Sequence, residues 1–431
     1  MATYHIWTLG CQMNVADSLK LSAGLDRLGW SETPDETSAD LYVINTCSVR
    51  QHAEDRAYGR LHKLRQRRQG GEQFQIAVMG CMVGPKTDDL QRRFPWVDVW
   101  ARPQEFDPIL TTAGVARDAS EGEFWTETYG VPSGPTAYVP VVHGCDKFCT
   151  YCIVPLRRGR ERSRPRAEVL DEIRFLASHG VREVTLLGQT VEAYGHDLDE
   201  GADLATLFEG IEAIDGIVRT RFLTSYPKDM TDRIIDAVAD LPKVCEHFNI
   251  PVQSGDDAML GRMRRGYTVA EYEERVAYIR KRMPDAALAT DIIVGCPGET
   301  DEEFGNTLAL LERVQFDVIH VAAYSPRPGT FAYRKQEDDV TREVKRERLQ
   351  AIEALHEQSS SRINARSLGR DVEVLVEREQ DGHVTGRTRG GQLVHFDGAG
   401  RLGQLVDVTV HEATAWSLHG RKAGDLQLAV L

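Results

Sequence analysis

The chain has 431 residues and eight cysteines, and its 52 basic against 66 acidic residues leave a net charge of −14. At roughly 150 residues per domain, that length predicts about three domains. An apolar content of 41 % and a charged content of 27 % exclude wholesale disorder, collagen and coiled coil. No apolar run reaches the roughly 18 residues that a membrane helix needs, and Met1 to Cys11 lacks the pattern of a signal peptide. The expected compartment is therefore the cytoplasm, with no membrane partner. The acidic balance excludes a generic polyanion binder but not an enzyme with local basic patches. Eight cysteines are too few for a disulfide scaffold, so any clusters of them point to metal or redox chemistry.

The first 130 residues alternate strand and helix signals. Strands are expected at Tyr4–Leu9, Leu41–Asn45, Phe74–Met79 and Val97–Trp100. Between them lie a helical stretch to Leu28 and a basic helix, Ala53–Gln69, with Arg56, Arg60, Lys63, Arg65, Arg67 and Arg68. That alternation predicts βαβ units and a parallel sheet. Gly130 to Pro135 (GVPSGP) reads as a linker. Six further strands follow, at Tyr138–Val142, Glu183–Leu187, Val218–Thr224, Phe248–Pro251, Ala287–Val294 and Val318–Tyr324, with amphipathic helices such as Ala167–Ser178 and Val269–Arg282 between them. They predict an incomplete (β/α)6 barrel with its chemistry at the C-terminal strand ends.

Glu343 to Leu368 is a charged helix. Beyond Arg370 come short strands, Val372–Glu377, Thr385–Thr388, Leu393–Phe396 and Leu405–Glu412, separated by turns at Asp381-Gly382 and Asp397-Gly398. They predict a small all-β barrel of the size used by nucleic-acid modules. The expected domains are thus 1–130, 136–366 and 367–431, and the last is expected to be separable from the rest.

Cys145, Cys149 and Cys152 lie in GCDKFCTYC, directly after the first strand of the central region. Three thiolates from one tight loop can hold three irons of a cubane and leave the fourth open. The alternative is a structural zinc site, which needs a fourth protein ligand; His143 is the nearest candidate. Cys11, Cys47 and Cys81 sit in TLGCQMN, INTCSVR and VMGCM, each after the apolar strand of its unit. Parallel strand ends converge on one sheet edge, so the three could meet there and hold a second cluster or zinc. Cys245 and Cys296 show no such pattern and read as structural.

The C-x3-C-x2-C motif resembles that of the radical S-adenosylmethionine (SAM) superfamily, in which a partial barrel binds a 4Fe-4S cluster whose open iron is chelated by SAM. With three cysteines ahead of it, the chain resembles the radical SAM methylthiotransferases from Leu9 to about Lys422. The stretches that carry the resemblance include GCDKFCTYCIVPLRRGRERSRP, PVQSGDDAMLGRMRRGYT, DIIVGCPGET and YSPRPGT. The terminal barrel looks like a TRAM domain. NTCSVR, VPLRRGRERSRP and YSPRPGT look most like the MiaB-type branch, which methylthiolates tRNA; Thr190 and Cys296 depart from that pattern, which has asparagine and phenylalanine there.

The resemblance implies two 4Fe-4S clusters, an auxiliary one on Cys11, Cys47 and Cys81 and a radical one on Cys145, Cys149 and Cys152. It implies that SAM is both methyl donor and radical source. The expected reaction places a methylthio group on C2 of N6-isopentenyladenosine, 3′-adjacent to the anticodon. Implied partners of an expected monomer are tRNA, an electron donor such as flavodoxin or ferredoxin, and a sulfur source. Tyr151, Gly188, Gln189, Gln253 and Ser254 are placed to touch SAM, although glycine there would equally serve a turn; GCPGET carries the same ambiguity. Arg157, Arg158, Arg160 and Arg164, with Arg162 and Arg166, are expected to meet RNA phosphates. Phe396 and Trp416 could stack on bases, with core packing the favoured use of each. The alternatives are methylthiolation of threonylcarbamoyl-adenosine in tRNA or of a ribosomal-protein aspartate, and a non-catalytic, zinc-containing RNA-binding protein.

Overall fold

A computed structural model describes residues 2–48, 51–114, 129–198 and 201–424. The N-terminal segment is a parallel sheet of β1 (Thr3–Thr8), β2 (Ser31–Glu32), β3 (Leu41–Thr46), β4 (Gln75–Gly80) and β5 (Val99–Ala101), in the order β2-β1-β3-β4-β5. Helices α1 (Gln12–Arg27), α2 (Gln51–Gln69), α3 (Asp88–Arg93) and α4 (Asp107–Thr112) connect the strands. Successive side chains of a strand point to opposite faces. Leu41 and Val43 accordingly pack with Leu21 and Leu25 of α1 and Ile109 of α4, while Tyr42 and Ile44 pack with Leu61 and Leu64 of α2. Covering on both faces explains why β3 reads as one continuous apolar run. The two-residue edge strand β2 has no periodicity to betray it in the sequence.

The central region begins with β6 (Thr136–Pro140), followed by the short pair β7 (Val142–His143) and β8 (Arg162–Ser163) with α5 (Val154–Arg158) between them. After α6 (Arg166–Ser178) come β9 (Glu183–Leu187), α7 (Leu204–Glu212), β10 (Arg219–Leu223), α8 (Asp232–Asp240), β11 (His247–Asn249), α9 (Asp257–Met263) and α10 (Val269–Arg282). The region ends with β12 (Ala287–Val294), α11 (Asp301–Val314), β13 (Val318–Ala323), α12 (Phe331–Lys335) and α13 (Arg342–Ala365). β6, β9 and β10 pair in parallel, as do β11, β12 and β13, and a bridge from Thr220 to Val244 joins the two halves. The result is the expected partial barrel of six strands. Thr268-x-x-Glu271 and Thr300-x-x-Glu303 form reciprocal capping boxes that start α10 and α11. GCPGET is thereby a structural turn: Gly295 and Gly298 take positive φ, Glu299 accepts from the Gly295 N–H, and Thr300 caps α11.

Beyond α13, β14 (Asp371–Gln380), β15 (His383–Thr388), β16 (Leu393–Asp397), β17 (Leu405–Ala413) and β18 (Leu418–Lys422) close a barrel in the order β14-β15-β16-β18-β17. The last strand, LHGRK, was not legible because it buries only Leu418 and Gly420. Phe396 is in the core with Val374, Val394 and Val408, but Trp416 is not: it is 62 % exposed and meets the His356 ring edge-on.

This small barrel docks on the central region through buried polar contacts. It caps the N-terminal ends of the barrel strands, opposite the cysteine loop. Fully buried Arg219 donates to the Arg387 and Glu373 carbonyls and to the Glu373 carboxylate, while Arg221 donates to the Thr388 and Arg389 carbonyls and to Glu183. Arg389 returns the contact through Glu246 and the carbonyls of Pro242 and Val244. Removal of residues 368–431 strips the partners from these guanidinium groups, so the truncated chain is expected to melt several degrees below the full one. His247 supplies a pH signature for the same joint, because it is packed under Gly391. Burial and the nearby Arg221 push its pKa down from 6.5 to about 3. The folded chain then binds fewer protons than the unfolded one below pH 6.5, so stability is full above that pH and falls as pH drops toward 3. Calorimetry across that range should show the fall in the full chain and a flatter profile in His247→Gln.

Candidate metal centres

The central cysteine loop hangs between β7 and β8. Gly144 opens it with φ of 71°, and a Cβ there would collide with the Arg160 carbonyl, so only glycine admits the turn. The Cys145 N–H donates to the Gly159 carbonyl at 3.1 Å and the Cys152 N–H to the Cys149 carbonyl at 3.1 Å, which folds the loop back on itself. The sulfur of Cys145 accepts from the Lys147 N–H at 3.4 Å and lies 3.7 Å from the Thr190 hydroxyl. The sulfur of Cys149 accepts from Arg265 Nη1 at 3.3 Å. Burial raises the Cys145 thiol and, with the nearby Cys149, pushes Cys152 up to about 12. These are neutral thiols at pH 7, so metal loading must release protons.

Tyr151 is half-buried and shares a small cavity with Met259, Met263, Cys296 and Tyr324. Gly188 ends β9, where a Cβ would meet Val142 at 2.5 Å and the Val191 Cα at 3.0 Å. Beside it the Gln189 Oε1 is buried without a hydrogen-bond partner. Gln253 follows β11 with φ of 73°, a strained conformation at a strand end, as is Thr224 after β10 with φ of 71°. The Ser254 hydroxyl meets the Asp256 N–H and the Thr307 hydroxyl in the middle of α11. A residue that sequence reasoning missed is Glu192. It is buried, accepts from the Tyr226 N–H, leaves Oε1 unpartnered, and is pushed by burial to about 8. Arg265 was missed as well; its only sequence signal is its place in the MRRGYT stretch.

The N-terminal cysteines also converge. Each ends a parallel strand: Cys11 caps the start of α1 after β1, Cys47 follows β3, and Cys81 follows β4. The Cys81 N–H donates to the Thr46 carbonyl at 2.9 Å, and a Cβ on Gly10 would lie 3.0 Å from the Cys47 Cβ. Asn14 ties the three turns together, donating to the Leu9 and Thr46 carbonyls and to Asn45, and taking the Cys11 thiol on its own oxygen at 3.7 Å. Cys11 is exposed, while Cys47 and Cys81 are buried. Among the described residues no three His, Cys, Asp or Glu side chains are placed to hold a single metal ion. A cubane spreads its thiolates over different irons and so does not need three of them on one ion. His143, the candidate fourth zinc ligand, is instead buried against the Gln104 amide.

The arginine run divides. Arg160 has a 74 % exposed side chain paired with Asp146 at 2.8 Å, and Arg162 is exposed. Arg158 and Arg164 are corrections to the expected RNA contacts. Arg164 is fully enclosed against Glu172 and the Pro140 carbonyl. Arg158 crosses into the N-terminal sheet and pairs with Asp17 at 3.0 Å, both side chains only 2 % exposed. Arg157 is half-buried over Gly84. Half of the basic residues of α2 are ion-paired: Arg60 with Glu36, Arg67 with Glu72 and Arg68 with Asp98.

Comparison with known proteins agrees with this geometry. Residues 139–311 match the model of the radical SAM superfamily, residues 365–423 the TRAM domain, and residues 3–102 an uncharacterized protein family, UPF0004. The radical SAM methyltransferase TsrM from Kitasatospora setae has a similar fold, with a TM-score of 0.58 at 14 % identity over 77 % of this chain and 74 % of that one. The fold and the cysteine loop define a radical SAM enzyme. A tRNA-2-methylthio-N(6)-dimethylallyladenosine synthase of Chloroflexus aurantiacus is 43 % identical over 97 % of this chain and 91 % of its own. One from Dehalococcoides mccartyi is 43 % identical over 99 % and 100 %. The chain belongs to the tRNA-2-methylthio-N(6)-dimethylallyladenosine synthase family.

The two cysteine sets lie on different sheets and should load iron largely independently. Replacing Cys11, Cys47 and Cys81 by alanine is expected to remove about half of the iron while SAM cleavage under a strong reductant persists. Replacing Cys145, Cys149 and Cys152 should abolish that cleavage. Iron analysis and quantification of 5′-deoxyadenosine check both outcomes.

Proposed function

We propose that this chain places a methylthio group on C2 of N6-isopentenyladenosine, 3′-adjacent to the anticodon of tRNA. The observation that carries this reading is the convergence of Cys11, Cys47 and Cys81 on the sheet edge that Arg158, of the segment after the radical-cluster loop, enters. No helix among the described residues is long and apolar enough to cross a membrane.

Bound 4Fe-4S clusters and SAM supply the sulfur, the methyl group and the radical that removes an inert C–H hydrogen, chemistry beyond acid–base side chains. The chain's own part is to ligate, orient and exclude water. Cys145, Cys149 and Cys152 would hold the radical cluster, with Arg265 fixing the Cys149 sulfur. Gln189 offers an unpartnered buried oxygen at the C-terminal end of β9, suited to an N–H donor of SAM or of the target base. Gly188 precedes it, Tyr151 lines a cavity with Met259 and Met263, and Gln253 turns with left-handed φ after β11. At the mouth, Phe148 is 60 % exposed with the Arg160 guanidinium 5.8 Å from its ring. An aromatic face beside a cation is suited to a base that has left its stack. Arg160 and Arg162 supply phosphate contacts. Reduction requires an external electron donor, such as a flavodoxin or ferredoxin, and each turnover requires an external sulfur source.

Deletion of the gene is expected to remove the 2-methylthio nucleoside from tRNA and to leave the prenylated precursor accumulated. Nucleoside mass spectrometry checks this. Loss of 2-methylthio from a threonylcarbamoyl nucleoside, or from a ribosomal protein with tRNA unchanged, would assign the activity to a neighbouring branch.

A further inference from the structure

Three arginines of the central region reach the cysteine edge of the N-terminal sheet. Arg157 Nε and Arg327 Nε and Nη2 are buried without a hydrogen-bond partner, and the Arg158 guanidinium is hydrogen-bonded to the Cys81 thiol. Arg158 uses Nη2 on Asn14 at 3.2 Å and on Asp17 at 3.0 Å. The groups that hold its charge include the Cys81 and Cys11 thiols as well as Asp17. Arg327, of the YSPRPGT stretch, is 3 % exposed and bonds Gln51 and Glu54, and Cys47 is among the groups that bear on its charge. The other charged groups around this joint are Lys20, paired with Glu172, and Arg164 on the same carboxylate.

A buried guanidinium with orphaned N–H groups is costly unless an anion completes it. Asp17 and Glu54 each supply one carboxylate, which leaves the Arg157 and Arg327 nitrogens uncompensated and turns the remaining donor side of Arg158 to the Cys81 sulfur. Three thiolates on a four-iron cluster form such an anion, and hydrogen bonds to its sulfurs together with nearby positive charge raise a cluster's reduction potential. We infer that Arg158, with Arg327, is a positioning residue for the auxiliary cluster: it donates to the cluster's sulfur side, raises its potential, and ties that potential to the docking of the two domains. The inference rests on the two-cluster reading above. It also explains why this segment departs from RNA contact. The radical-cluster loop and the arginine that meets the auxiliary site are only six residues apart in sequence, Cys152 to Arg158, so one short segment sets the relation between the two centres.

The test is a redox titration of the full-length, two-cluster enzyme, followed by electron paramagnetic resonance, in wild type, Arg158→Lys, Arg158→Gln and Asp17→Asn. S-adenosylhomocysteine, which has the chelating amino and carboxylate groups but no methyl group to transfer, is added to mark the radical cluster. Arg158→Gln is expected to shift the midpoint that this ligand leaves unperturbed to a more negative value and leave the other in place. Asp17→Asn, which removes the competing negative charge, is expected to shift it the opposite way. Arg158→Lys should recover part of the loss. If Arg158→Gln fails to hold the auxiliary cluster, the opposed directions of Asp17→Asn and Arg158→Lys against wild type still decide. An auxiliary midpoint that stays put in Asp17→Asn and in whichever Arg158 variants retain the cluster overturns the inference. A wild-type enzyme that binds only four irons would instead overturn the two-cluster reading itself.

Discussion

Arg158 is the side chain on which the arrangement of the molecule turns. It leaves the segment that closes the cysteine loop, enters the N-terminal sheet, and is buried against Asp17 and Asn14. A buried ion pair contributes little net stability by itself, but breaking one partner is costly. Such a contact therefore specifies an arrangement more than it strengthens one. Around it Lys20, Glu172 and Arg164 repeat the same device, and Gln104 meets His143 beside the first barrel cysteine. Buried paired polar groups thus join the two sheets.

The same device is used at the floor of the barrel. Arg219 and Arg221 stand where the strands begin and are completed by carbonyls and a carboxylate of the terminal β-barrel. The chain thus separates its ends: cysteine chemistry at the C-terminal edge of the strands and the TRAM-like module at the N-terminal edge. An RNA substrate served by both must extend along the side of the barrel, since neither face alone offers both a reactive mouth and the terminal module. The exposed Arg160, Arg162 and Phe148 mark where its reacting end would sit.

The elements of the sequence were legible where a period could be read. The apolar runs of β3 and β4, the capping boxes of α10 and α11, and the alternation of β14 to β17 all have local physical causes, namely side-chain alternation and cap chemistry. β2 and β18 were missed because each is too short, or too polar, to show a period. Of the functional residues, the cysteines stood out by spacing and by strand-end position. Glu192 and Arg265 did not, since their significance lies in a lost or gained partner from distant strands.

The arginine run shows what the sequence determines and what it leaves to the fold. Sequence alone determined that six arginines follow the cysteine loop, that the loop can hold three thiolates, and that each N-terminal cysteine ends a strand, because these are statements about spacing and local period. It could not determine which arginines face water. Arg158 and Arg160 are two residues apart, yet one is enclosed at 2 % exposure and the other stands 74 % exposed. That difference is decided by which partners arrive from elsewhere: Asp17 and Asn14 on α1 for the first, solvent and Asp146 for the second. Charge is a property of the residue, whereas desolvation is a property of everything packed around it, and only the tertiary structure brings those neighbours into place.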